Sequence, residues 1–262
     1  MRFHPPAAGR RSWWHRIMRV LLMTLGGAAA AAGPEEGPPG EWRMAARDFA
    51  NTRYSALTEI GTTNVSQLRA AWTFSTGVVR GHEAAPLVVG GTMYVVTPYP
   101  NILYALDLTK SGAVKWRYEP KPSRSAQGVA CCDVVNRGAA YADGRIYYAT
   151  LDAHAVCVDA STGREVWRTK IGDINLGETV TMAPIVVKGK VLVGNSGGEF
   201  GVRGWLVALD AASGEVAWRA YSTGKDAECL IGPDFQPFYA QDRGTDLGVS
   251  TWPPGAWKMG GG

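Results

Sequence analysis

The chain has 262 residues, 46% hydrophobic and 19% charged, with 33 glycines and 10 tryptophans, a globular composition with room for one large or two ordinary domains. Its formal charge of +4 comes from residues 1–32, where Arg2, Arg10, Arg11, Arg16 and Arg19 stand without an acidic residue; subtracting these five leaves −1 for the rest. A near-neutral remainder carries no footprint for phosphate neutralisation, which excludes nucleic acid as the partner class.

Residues 1–32 read as an export signal. A basic stretch ends at Arg19, an apolar run follows from Val20 to Leu25, and Ala28 to Ala32 offers A-x-A cleavage sites. The apolar run is too short to predict a membrane span, with an uncleaved anchor in the inner membrane as the alternative. Arg10-Arg11 raises a twin-arginine route, but its surroundings fit poorly and the general secretory route is favoured. The expected location is the periplasm. Residues 33–41, rich in Pro, Gly and Glu, form a linker, and residues 42–262 form the folded part.

From there the chain is a succession of short strands. Pro86 to Val96 is a run of β-branched residues around a Gly-Gly turn, and the same design returns at Gly138 to Tyr148 and at Pro184 to Val193. After each hairpin comes a second one. Ala105-Leu106-Asp107 leads through Gly112 to Trp116, Val156-Cys157-Val158-Asp159 through Gly163 to Trp167, and Ala208-Leu209-Asp210 through Gly214 to Trp218. The Asp and Ser/Thr residues turn the chain and the glycine supplies a positive-φ position. Trp116, Trp167 and Trp218 recur at a constant step of 51, a period that signals a propeller or solenoid. Two hairpins per period predict an all-β fold, a β-propeller of four-stranded antiparallel blades, with three blades and the start of a fourth in this stretch.

Between the repeats lie the residues with chemistry to offer. Cys131 and Cys132 are adjacent, in Gly128-Val-Ala-Cys-Cys-Asp133-Val-Val-Asn136-Arg137. Bridged, such a pair closes a small strained ring of the sort found at functional sites; unbridged, it is two buried thiols. Ser196-Gly197-Gly198-Glu199 follows the strand ending at Asn195. Its glycines allow close backbone approach to a ligand. Glu199 places a carboxylate at the strand end, reasonable beside an anionic ligand only with a hard cation between them; an ordinary glycine turn is the alternative. Glu83 and Thr181 are polar residues in apolar strand contexts, while His82, His154, Trp252 and Trp257 read as structural. Cys157 reads as a small core residue and Cys229 as a loop thiol, and the spacing of the four cysteines matches no zinc pattern.

Together, Gly81-His82-Glu83-Ala-Ala-Pro86, the Cys131-Cys132 segment through Arg137, Glu178-Thr-Val-Thr181 and Gly194-Asn-Ser196-Gly197-Gly198-Glu199 resemble the large subunit of the pyrroloquinoline quinone (PQQ)-dependent methanol and ethanol dehydrogenases. The three Asp…Gly…Trp repeats are similar to that family's tryptophan-docking motif, and the resemblance runs from Trp42 to Gly262. It implies an eight-bladed propeller with PQQ in the central channel. Glu83, Arg137, Thr181, Ser196, Gly197 and Gly198 would bind the cofactor, Cys131 and Cys132 would form a vicinal disulfide against its ring, and Glu199 would ligate a Ca²⁺ or lanthanide ion. It further implies oxidation of a short primary alcohol, methanol first, with electrons leaving to a periplasmic cytochrome c. A homodimer or a small subunit is a further expected partner. The family's catalytic Asp is expected beyond Gly262, so the isolated chain is expected to be inactive. A PQQ-dependent sugar or polyol dehydrogenase is one alternative. A non-catalytic outer-membrane assembly propeller is another, and it has no need of the cysteine pair, Arg137 or the Ser-Gly-Gly-Glu turn.

Overall fold

A computed structural model describes residues 37–130, 133–235 and 244–260. The expected export signal and the Cys131–Cys132 pair lie outside the described residues. No helix among those described is long and apolar enough to cross a membrane.

Three four-stranded antiparallel sheets follow one another along the chain, each with its strands in sequence order. The first holds β1 (Leu87–Val89), β2 (Thr92–Val96), β3 (Leu103–Asp107) and β4 (Ala113–Tyr118). The second holds β5 (Ala140–Ala142), β6 (Arg145–Thr150), β7 (His154–Asp159) and β8 (Glu165–Lys170). The third holds β9 (Ile185–Val187), β10 (Lys190–Gly194), β11 (Trp205–Asp210) and β12 (Val216–Tyr221). These are propeller blades. After Tyr221 no strand follows among the described residues. The start of a fourth blade, expected from the sequence, is absent there, and the segment holds helical turns, including the four-residue helix α1 (Leu247–Ser250).

The repeat sequence explains each blade. The Asp159 carboxylate accepts hydrogen bonds from the backbone N–H and hydroxyl groups of both Ser161 and Thr162, and Asp107 and Asp210 cap the equivalent turns through Thr109 and Ser213. Each turn ends at a glycine with φ of 73–76°, Gly112, Gly163 or Gly214, whose N–H bonds back to the carbonyl of the capping Asp. One residue is then bulged out opposite the third strand, so that Trp116 pairs with Ala105, Trp167 with Cys157 and Trp218 with Ala208.

The indoles join blade to blade. Trp116 lies flat on Gly163 and donates its Nε1–H to the Ala160 carbonyl at 3.1 Å; Trp167 repeats both contacts one blade later, on Gly214 and the Ala211 carbonyl at 3.1 Å. Trp72, which stands outside the 51-residue step, covers Gly112 in the same way and is a fourth member of the series.

The core fills the spaces between blades. On β6, Ile146 and Tyr148 face the first blade beside Leu87, Val96 and Leu103, while Tyr147 and Ala149 face the third beside Val186, Val193 and Val207. Successive strand residues point to opposite faces, and here both faces are covered, which is why the middle blade reads as a nearly unbroken apolar run.

Candidate functional site

Three of the residues singled out in the sequence, Glu83, Arg137 and Thr181, occupy a recurrent place in the fold, just ahead of a blade. Each blade begins with its short first strand, β1, β5 or β9. Glu83 stands four residues before Leu87, Arg137 three before Ala140 and Thr181 four before Ile185. The approaches to β1 and β5 pair in parallel at Ala85 and Gly138, and β5 and β9 pack side by side. Three blade entrances therefore bring these three side chains together.

They form a bonded line. Arg137 donates from Nη1 to the Thr181 hydroxyl at 2.8 Å, and its Nη2 lies 3.4 Å from a Glu83 carboxylate oxygen. The Arg137 N–H donates to the Thr181 carbonyl at 2.9 Å, fixing the backbone as well. Two residues before Thr181, Thr179 is buried; its carbonyl accepts the Ser196 N–H at 2.8 Å and its hydroxyl lies 3.0 Å from Ser196 Oγ. Ser196 is thereby tied to the segment that carries Thr181. Gly197 follows with φ of 116°, and a Cβ there would lie 2.8 Å from both the Gly177 carbonyl and Val202 Cγ2, so no other residue fits. Gly198, Glu199 and Phe200 make one tight helical turn with the Glu199 side chain outward.

Asn136, barely 1% exposed, sets the pose of Arg137. Its amide donates to the Ala149 carbonyl at 2.8 Å and accepts from the Gly138 N–H at 2.9 Å, bracketing the arginine on both sides. The rest of the Cys131–Cys132 loop is anchored too. The Tyr99 N–H donates to the Val134 carbonyl, and the buried Asp152 carboxylate accepts the Ser123 N–H at 2.9 Å and the Thr150 hydroxyl at 2.5 Å. Burial alone would raise the Asp152 pKa, but the bonds from His154, Thr150 and Ser123 prevail and hold it well below the usual carboxylate range. His154 stands with Nδ1 3.1 Å from Asp152, and His82 is bonded to Thr76 and to the Arg80 carbonyl.

Glu83 and Arg137 open onto a cavity of about 480 Å³. Ala85, Ala183, Pro184 and Ile185 contribute apolar lining, and residues of the segment from Met44 to Arg53 line it as well. That segment carried no sequence signal of a ligand site. It reaches the cavity because Trp42 pairs with Val88 and Met44 with Ala140, which lays the chain across two first strands at once. The volume suits a small-molecule ligand. Arg137 spends only part of its five donors on Thr181 and Glu83, and its side chain is 50% exposed, so it can still bind an anion. Among the described residues no three His, Cys, Asp or Glu side chains gather to hold a metal ion.

Residues 42–230 match the family model of the PQQ glucose/ethanol/alcohol dehydrogenase β-propeller domain. The chain is 56% identical over 228 residues to a lanthanide-dependent methanol dehydrogenase of Methylacidiphilum fumariolicum, covering 87% of this chain and 37% of that one. It is 49% identical to methanol dehydrogenase [cytochrome c] subunit 1 of Paracoccus denitrificans, covering 86% and 36% of the two chains. Among solved structures, a europium-containing methanol dehydrogenase superposes with a TM-score of 0.82 at 55% identity, over 85% of this chain and 39% of that one. The chain thus spans little more than a third of the length of these relatives.

Proposed function

Since the chain belongs to the family of PQQ-dependent glucose, ethanol and alcohol dehydrogenase β-propellers, we propose that it provides a cofactor-binding part of an alcohol dehydrogenase whose substrate is a short primary alcohol, methanol first. The observation that carries this reading is the Glu83–Arg137–Thr181 line at three consecutive blade entrances, opening on a cavity of ligand size. Arg137 would bind a cofactor carboxylate with its remaining donors. Thr181 and Glu83 fix the guanidinium plane, while Ser196, Gly197 and Gly198 let backbone come close to the cofactor. Cys131 and Cys132 would form a vicinal disulfide facing its ring, on a loop whose flanks are fixed by Asp152 and Asn136. Glu199 would supply a carboxylate to Ca²⁺ or a lanthanide; relatives named for lanthanide dependence and for europium support a metal without deciding between the two. When bound, PQQ supplies a quinone that takes two electrons from the alcohol and yields them to an acceptor. A cytochrome c as that acceptor is supported by the name of a relative, and a periplasmic location by the basic and apolar pattern of residues 1–32.

Titrating PQQ into the purified chain, with Ca²⁺ or La³⁺ present, and following tryptophan fluorescence tests the reading. Saturable quenching is expected, with Arg137→Ala weakening it about 100-fold, the effect of losing a bidentate charge partner. Glu199→Gln is expected to remove the metal's contribution while leaving metal-free binding intact. Absence of saturable quenching with either ion sinks the proposal.

A further inference from the structure

The Glu199 carboxylate makes no hydrogen bond or ion pair among the described residues. It rides on a turn of three residues, Gly198–Phe200, with Gly197 and Gly201 on either side at φ of 116° and 75°. Glycine at both ends leaves such a turn little stiffness of its own. Whatever aims the carboxylate must therefore act on the ends of the loop that carries it.

That loop, residues 195–204, joins β10 to β11, and Asn195 closes its neck. The Asn195 amide donates to the Arg203 carbonyl at 3.0 Å and accepts the Trp205 N–H at 2.8 Å. Arg203 then fastens the loop to the chain beyond β12. Its Nε and Nη2 both donate to the Thr223 carbonyl, at 3.0 and 2.6 Å, and its Nη1 and Nη2 donate to the two Glu228 carboxylate oxygens at 3.3 and 3.1 Å. The guanidinium also lies 3.9 Å from the centre of the Tyr221 ring and 4.8 Å from that of Trp257. A Cβ on Gly224 would run into it, so the receiving chain is shaped for this side chain. Backbone bonds continue the seam: the Gly204 N–H donates to the Gly260 carbonyl and the Ser222 N–H to the Gly204 carbonyl, each at 3.0 Å.

Arg203 differs from Arg137 in what it has left to offer. Four of its five N–H groups are spent on Thr223 and Glu228, and its side chain is only 18% exposed. It is built to hold the loop and has little capacity for a ligand. We propose that Arg203 is a positioning residue for the ion-binding carboxylate: it fastens the 195–204 loop to Thr223 and Glu228 so that Glu199 is held where it meets the cation. It touches neither the ion nor PQQ and acts through Glu199. The assignment rests on the reading above in which Glu199 ligates the metal. Loss of an outer group that orients a metal ligand costs about 10–100-fold in metal affinity.

The test is PQQ binding to the full chain, followed by fluorescence quenching without metal and then across a La³⁺ titration. It compares wild type, Arg203→Ala, Arg203→Lys, Glu199→Gln and the surface control Arg164→Ala, with far-UV circular dichroism to show which are folded. Arg203→Ala is expected to keep metal-free PQQ affinity within about twofold of wild type and to raise the La³⁺ concentration at half effect about 10–100-fold. Arg164→Ala is expected to match wild type in both. Hydrogen exchange gives a second readout: the Phe200, Gly201 and Val202 amides, which close the turn on the Gly197 and Gly198 carbonyls, are expected to exchange faster in Arg203→Ala while those of β6 keep their rates. An unchanged La³⁺ requirement in folded Arg203→Ala, beside its loss in Glu199→Gln, overturns the assignment alone. An equal weakening of metal-free PQQ binding also overturns it, since the arginine would then support the whole site. If Arg203→Ala does not fold, Arg203→Lys decides, because lysine keeps the charge but not the forked, stacked geometry. A rise of about 3–10-fold in the La³⁺ requirement is expected there, and a wild-type value overturns the assignment. A wild-type chain whose PQQ binding does not respond to La³⁺ overturns the metal reading of Glu199 and this assignment with it.

Discussion

Cys157 shows how a single side chain is read once its neighbours are known. It occupies the position that Ala105 and Ala208 hold in the other blades, directly across from the docking tryptophan, and it is fully buried. Burial pushes its thiol up to about 12, well above the range in which a thiolate forms at neutral pH. Iodoacetamide at pH 8 is therefore expected to leave Cys157 unmodified in the native chain and to label it in urea, as peptide mass mapping would show. Cys157→Ala is expected to cost under about 1.5 kcal/mol, since the site accepts alanine twice elsewhere, whereas Cys157→Leu should cost about 1–3 kcal/mol by overpacking. Both are measurable as shifts in a urea midpoint. Arg137 is the opposite case. Its motif was visible in the sequence, yet its role depends on Asn136 bracketing it and on Thr181, 44 residues away, receiving it.

At the scale of elements, the Asp…Gly…Trp hairpin is the unit that makes a blade and joins it to the next. The glycine meets two demands together: a positive φ and the absence of a Cβ beneath an indole. At Gly163 a Cβ would stand 2.6 Å from Trp116 Cδ2, and at Gly214 2.5 Å from Trp167. Gly163→Ala is thus expected to destabilise the chain by about 2–4 kcal/mol, combining backbone strain with a displaced tryptophan. Gly144→Ala offers a control: its φ is 75° but nothing lies within 4 Å of the added Cβ, so only the strain remains, about 1 kcal/mol. Equal losses in the two variants, measured by urea unfolding, would show that the indole contact contributes nothing. The site follows a similar logic of repetition, because Glu83, Arg137 and Thr181 stand three or four residues ahead of the first strand in three successive blades.

For the whole molecule, stability should follow the order of the blades. In a repeat array each unit is held by its own strands and by its neighbours, so a side chain matters in proportion to the interface it fills. Trp167 lies between two blades at 9% exposure, while Trp218, its counterpart on the third blade, is 36% exposed. Trp167→Ala is expected to cost about 3–5 kcal/mol and Trp218→Ala no more than about 1–2 kcal/mol, by chemical denaturation. Comparable costs for both would contradict the nearest-neighbour picture. Much of this architecture was legible in the amino-acid order. The period of 51, the alternation of apolar residues and the turn chemistry are local properties, each decided by residues within a few positions of one another, and they determined the blades, the capping aspartates and the positive-φ glycines. Trp72 escaped the pattern because no Asp…Gly turn leads into it and it stands 44 residues before Trp116, off the step of 51, and the Met44 to Arg53 segment escaped because nothing within it records which strands it will cross. Those placements and the pairing of Glu83 with Arg137 were decided only by tertiary structure, since they are distances between segments that the chain's local chemistry does not set.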